Sequence, residues 1–203
     1  MSSTLRSSRR PRGFTLVELM IVVAIIGVLA ALSIYGVSRY FLSAKTAEAK
    51  HTVGAIAKAA AAAYERELSL SQVLAPGAAG SATAATLCDS ATKKIPTVIP
   101  PGAKVNPDPA DQNEPSPTIG WTCLGFSLTQ PVLYQYDYER NGNTATSGLP
   151  GAPTYTGTFF EASAKGDLDA NPARLSTFAL GGQVQSDGSL TLSTAIYADQ
   201  EDQ

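Results

Sequence analysis

From Phe14 to Ile34 the chain runs apolar for about 21 residues with one charged side chain, Glu18. As helix this stretch is about 31 Å long, which matches a bilayer hydrocarbon core of about 30 Å. Its β-branched residues (Val17, Ile21, Val22, Val23, Ile25, Ile26, Val28) lower helix propensity in water. In lipid, helix is the one conformation by which a lone segment satisfies its own backbone. Gly27 and Ala31 add a small-xxx-small pair that lets helices approach closely. The rest of the chain has to be compatible with a helix that sits in a membrane.

What precedes this stretch sets its orientation. Residues 1–13 carry Arg6, Arg9, Arg10 and Arg12 and no acid, while every Asp and Glu follows Gly13. Arginines beside an apolar segment hold that end in the cytoplasm. A secretory signal is cut beyond its apolar region. Here Gly13 comes before that region, so a cut at Gly13 leaves the helix on the product. Removing the four arginines takes the formal net charge from −2 to −6. A mature chain of that charge offers no clustered Lys and Arg for phosphate, so no nucleic-acid partner is inferred.

Helical periodicity continues beyond the apolar stretch. Leu42, Ala49, Val53, Ile56, Ala60, Tyr64 and Leu68 recur near a 3.6-residue period, with an alanine-rich run at 55–63 and a stop signal at Pro76-Gly77. The pattern predicts one helix of about 60 residues, apolar all round in its first half and amphipathic in its second. Residues 77–118 hold seven prolines between Pro96 and Pro117 and read as a loop. Strand patterns follow at Ile119–Leu128, Val132–Arg140, Tyr155–Ala164, Ser176–Gln185 and Ser189–Tyr197, with Asn141-Gly142 and Ser186-Asp187-Gly188 as turns. The expected fold is α+β, with a four- to five-stranded antiparallel sheet on the amphipathic half of the helix. Cys88 and Cys123 are the two cysteines of a chain with an export signal, and read as a disulfide tying the loop to the first strand. They fit no zinc spacing.

Arg12-Gly13-Phe14-Thr15-Leu16-Val17-Glu18, followed by the apolar run, resembles the N-terminus of a type IV prepilin. The segments Gly120-Trp121-Thr122-Cys123-Leu124-Gly125-Phe126 and Gly166-Asp167-Leu168-Asp169 are similar to pilins of delta-proteobacterial type. The resemblance implies a leader (1–13) removed by a prepilin peptidase between Gly13 and Phe14, and N-methylation of Phe14. It further implies a transmembrane and assembly helix (14–36) and a globular pilin head (37–203). In that family the carboxylate at the position of Glu18 meets the Phe14 amine of a neighbouring subunit. The implied function is a structural subunit of a type IV pilus, with a minor pilin or a type II secretion pseudopilin as the related alternative. The implied partners are further copies of the chain, the peptidase, the inner-membrane assembly machinery and, before assembly, membrane lipid. The chain departs from many relatives at Tyr35, where they carry proline. Gly27 and Gly36 bracket that interval and make local opening of the helix cheaper.

A different class of reading is a signal-anchored periplasmic binding domain or enzyme that keeps residues 1–13. Chemistry for an enzyme is hard to find. His51 is the one histidine and has no nucleophile partner in the pattern, so the expectation is a protein without catalytic residues or cofactor. Asp167, Asp169 and Asn171 repeat the spacing of a calcium-loop start, but Pro172 and Phe178 stand where glycine and a bidentate glutamate belong. An Asx-rich turn is the favoured reading there, with no metal.

Overall fold

The computed structural model describes residues 13–72 and 85–201. The arginines of the leader and the Pro76-Gly77 stop lie outside these. The chain divides into two compact units, one ending at Phe41 and one beginning at Leu42.

Helix α1, Leu16–Gln72, contributes to both. In the first unit every described side chain from Gly13 to Phe41 is exposed. Its polar side chains are satisfied locally: Ser33 Oγ and Ser38 Oγ donate to the carbonyls of Leu29 (2.8 Å) and Ile34 (2.9 Å), four residues back. The backbone stays helical through Val28–Tyr35, without the opening that the flanking glycines make cheap.

In the second unit α1 buries Ala49, Val53, Ile56, Ala57, Ala60, Ala63 and Tyr64, one stripe at the predicted spacing. Among the described residues the unit adds five strands: β1 (Gln135–Arg140), β2 (Phe159–Gly166), β3 (Ser176–Val184), β4 (Leu190–Leu192) and β5 (Tyr197–Asp199). β1, β2 and β3 form an antiparallel meander, and β4 and β5 both pair with the far edge of β3. Alternation along the strands puts Tyr134, Tyr136, Tyr138, Phe160, Ala162, Ala164 and Phe178 into one core with the helix stripe. Small residues on both elements leave room for the tyrosine and phenylalanine rings. Gly166 is one such place, because a β-carbon there would lie 2.5 Å from the Tyr134 ring. The hairpin tip at Gly188 is tied to the helix by Tyr64 Oη, which donates to its carbonyl at 2.8 Å.

Two expectations need correction. The segment expected as a first strand, Ile119–Leu128, contains instead the short helix α2, Gly120–Leu124. Trp121 and Leu124, three apart, are both buried, and the indole N–H donates to the Lys93 carbonyl at 2.8 Å. Left-handed Gly125 ends the helix with bonds from Gly125 N to Thr122 O and Phe126 N to Trp121 O, so helical closure outweighs the β propensity of Trp and Thr. The expected last strand, Ser189–Tyr197, is divided. From Leu192 to Tyr197 it advances five residues while β3 advances three, so two extra residues bulge out around Thr194. The described part of the proline-rich segment is a loop, as expected, tied by isolated bridges to β1 and to the residues just ahead of it. Ile95 and Tyr136 exchange backbone bonds (2.9 and 2.6 Å), and Val105 and Val132 do the same (2.9 Å each). Gln135 Nε2 donates to the carbonyls of Pro96 and Thr97 at 2.9 and 2.8 Å.

Cys88 and Cys123 are joined, with Cα atoms 5.8 Å apart, so the disulfide ties the proline-rich segment to α2. Arg66 Nη2 donates to the Cys123 carbonyl (3.0 Å) and Tyr138 Oη to that of Cys88 (3.2 Å), which brings α1 and β1 to the same point. Replacing both cysteines by serine is expected to lower unfolding free energy by about 3–4 kcal/mol, since the bridge closes a loop of 35 residues. Urea denaturation checks it, and coincident midpoints for the two chains refute it. Gly166→Ala is expected to cost about 1–3 kcal/mol by overpacking against Tyr134, measured the same way.

Candidate processing and assembly site

The backbone of Gly13, Phe14 and Thr15 is irregular and exposed, and the helix begins at Leu16. Phe14 is 86% exposed, so the Gly13–Phe14 bond lies on accessible chain ahead of the helix. Nothing approaches within 4 Å of where a β-carbon would sit on Gly13.

Thr15 starts the helix. Its carbonyl accepts from Leu19 N at 3.3 Å, its hydroxyl accepts from Glu18 N at 3.3 Å, and Glu18 Oε2 accepts from Thr15 N and from Thr15 Oγ1, each at 2.9 Å. This reciprocal pattern is a capping box. It satisfies two N–H groups that an α-helix otherwise leaves unpaired at its start. It also folds the Glu18 carboxylate back toward residues 14 and 15. The Thr-x-x-Glu spacing carries this signal in the sequence, and it was not anticipated there. Gly13, Phe14 and Glu18 therefore occupy one short stretch around the helix start, with the carboxylate on its N-terminal side.

The other predicted positions lie elsewhere. Asp167 Oδ1 and Asp169 Oδ1 both accept from Asn171 N, at 2.7 and 3.1 Å, and Asn171 Oδ1 accepts from Ala173 N at 3.2 Å. These are Asx turns following β2. Among the described residues no group of three or more His, Cys, Asp or Glu side chains is arranged to hold a metal. His51 is exposed and borders an open cavity of about 400 Å³ with Glu48, Thr52 and Lys104. Glu48 is already committed to Lys104 Nζ (2.7 Å) and Leu133 N (2.9 Å).

Titratable groups buried on the sheet's outer face were also not anticipated. Asp137 pairs with Lys94 at 2.9 Å, and Glu161 Oε2 accepts from Thr146 Oγ1 at 2.5 Å. Burial raises the pKa of both carboxyls, with the Lys94 and Thr146 contacts acting against it. The strand pattern gives no notice of them, because an outward strand position is expected to be polar whether or not a loop covers it.

Residues 8–34 match a family model described as the prokaryotic N-terminal methylation motif. The chain is 51% identical over 51 residues to the type IV major pilin protein PilA of Myxococcus xanthus (strain DK1622). That match covers 25% of this chain and 23% of the relative, so the chain spans about a quarter of the length of the protein it matches. No solved structure matches. The motif at residues 8–34 and the pilin relative together support a type IV pilin.

Proposed function

We propose that the chain is the structural subunit of a type IV pilus, cut after Gly13, N-methylated at Phe14 and polymerised through its N-terminal helix. The observation that carries this reading is the surface of Gly13–Phe41, exposed at every described position and apolar for about 21 residues, with its one carboxylate on the first helical turn. A surface of that size is not left in water by a finished protein. In the precursor, lipid covers it, with the arginines of the leader keeping the N-terminus cytoplasmic at the inner membrane. In the extracellular filament, copies of the same helix cover it.

Glu18 supplies register. A carboxylate in hydrocarbon costs about 2.5–3.5 kcal/mol at mid-membrane and less near the interface. The capping bonds from Thr15 lower that cost before cleavage, and they turn the carboxylate toward the place where the cut releases a cationic amine on Phe14. Methylation leaves that amine charged. An arriving subunit's Glu18 then pairs with the Phe14 amine of one already in place, while apolar contact supplies adhesion. The peptidase and the inner-membrane assembly machinery are the partners this sequence of events requires.

Mass spectrometry of the mature protein is expected to find Phe14 at the N-terminus carrying one methyl group. A chain retaining residues 1–13 would sink the proposal in favour of an uncleaved anchor. For register, Glu18→Gln keeps an oxygen for the cap but removes the charge. It is expected to be processed normally while sheared filament yield falls about tenfold or more, the scale of a lost charged contact. Wild-type yield from that variant would show that the charge has no role in assembly.

A further inference from the structure

The connection between β1 and β2 is closed at its base. Asn141 N donates to the Phe159 carbonyl at 2.9 Å, and Phe159 N donates to Asn141 Oδ1 at 3.0 Å. Asn141 (φ 54°) and Gly157 (φ 74°) are left-handed at the two ends. Between them the segment 143–156 lies on the outer face of the sheet. It is held by Tyr197 Oη, which donates to the Pro150 carbonyl at 3.0 Å, and by Tyr155, whose ring covers Gly181 and stacks on Phe159 at 4.9 Å.

Beneath this segment two carboxylates face each other. Glu139 and Glu161 are directly opposite in the β1–β2 register, an arrangement that is destabilising when both are ionised. Each holds a threonine of the covering segment. Glu139 accepts from Thr144 N at 2.9 Å and from the Thr144 hydroxyl, and Glu161 accepts from the Thr146 hydroxyl at 2.5 Å. Glu161 is 2% exposed and Thr146 is fully buried.

We propose that residues 143–156 form a pH-tuned strap, closed most firmly when Glu161 is protonated and loosened as Glu161 ionises opposite Glu139. The segment itself contains no Asp, Glu, Lys, Arg or His, so the charges that act on Glu161 come from the sheet. They are Glu139 on β1 and Lys165 on β2, with the neutral Tyr155 hydroxyl above. The positions of β3 on the same face, Thr177, Ala179 and Gly181, carry no charge. Asp137 and its partner Lys94 lie one pair further along.

Burial raises the Glu161 pKa above its ordinary 4.5, Glu139 adds to the rise, and the Thr146 and Lys165 contacts oppose it. Opening the strap hydrates Glu161 and screens its repulsion from Glu139, so Glu161 has the lower pKa in the open form. Closure is therefore complete below the ordinary glutamate range and weakens as pH rises through the raised value. A protonated Glu161 keeps its contact, because the Thr146 hydroxyl both donates and accepts.

Hydrogen exchange of the full chain in detergent micelles, normalised for intrinsic rate between pH 4.5 and 8, tests this. The amide of Thr144 reports strap closure directly through its bond to Glu139, and those of Thr146, Ser147 and Leu149, bonded within the segment to Asn143, Asn143 and Thr146, report the order of the closed segment. Their protection is expected to fall severalfold with rising pH, while β2–β3 amides hold constant. Glu161→Gln is expected to give high protection at every pH. Thr146→Val keeps Glu161 but removes its hydroxyl partner, and is expected to lower protection most at the alkaline end. Wild-type protection that is flat or rises with pH overturns the proposal, as does an unchanged pH profile in both variants.

Discussion

The apolar surface of residues 14–41 is left uncovered by the described residues of its own unit. Every described side chain there is exposed, and the described residues of the unit are helix and the three residues ahead of it. At about 25 cal/mol per Å² of apolar area, leaving such a surface in water is prohibitive on the scale of a domain's whole stability. On the proposed reading the surface has a second solvent, and the remaining features suit it: a basic segment ahead of the helix that would set direction, serines that return their hydroxyls to the backbone, and one carboxylate whose hydrogen bonds are made within its own helical turn.

The second unit solves the ordinary problem of a globular domain with unusually small side chains. Alanines on α1 and on β2 line the same core and leave the remaining volume to Tyr134, Tyr136, Tyr138, Phe160 and Phe178. Burial keeps the three β1-side tyrosine hydroxyls neutral, raising their pKa well above the usual phenol range. The disulfide, α2 and the end of the helix stripe converge at the Cys123 carbonyl, so the covalent staple sits where three parts of the chain meet.

How much of this could be read beforehand depended on the range of the deciding interaction. The stripe Ala49–Tyr64 was legible because helical periodicity is local, and the β1–β2–β3 meander because its turns and alternation are local too. The Cys88–Cys123 pairing was legible from count and compartment. α2 was misread, since Trp121, Thr122 and Cys123 favour strand one by one while Gly125 and the Trp121–Leu124 spacing decide jointly for helix. The tether of Ile95 to Tyr136 joins positions 41 apart through single bridges that no local pattern announces. At the candidate site, Gly13, Phe14 and Glu18 were identified by resemblance. The capping role of Thr15 was available in its spacing to Glu18 and went unread. Glu161 was illegible, because its burial comes from a segment that carries no hydrophobic periodicity.

The bridges along β1 have a further consequence for a chain proposed to pack against its own copies. A sheet with open margins invites strand addition from a neighbour. Here one margin is occupied by residues 91–105 and the other by β4 and β5, three residues each and separated by a two-residue bulge. Little continuous backbone is left for another copy to extend. In the proposed assembly, association is thereby directed away from the cross-strand route that leads to amyloid and toward the helix.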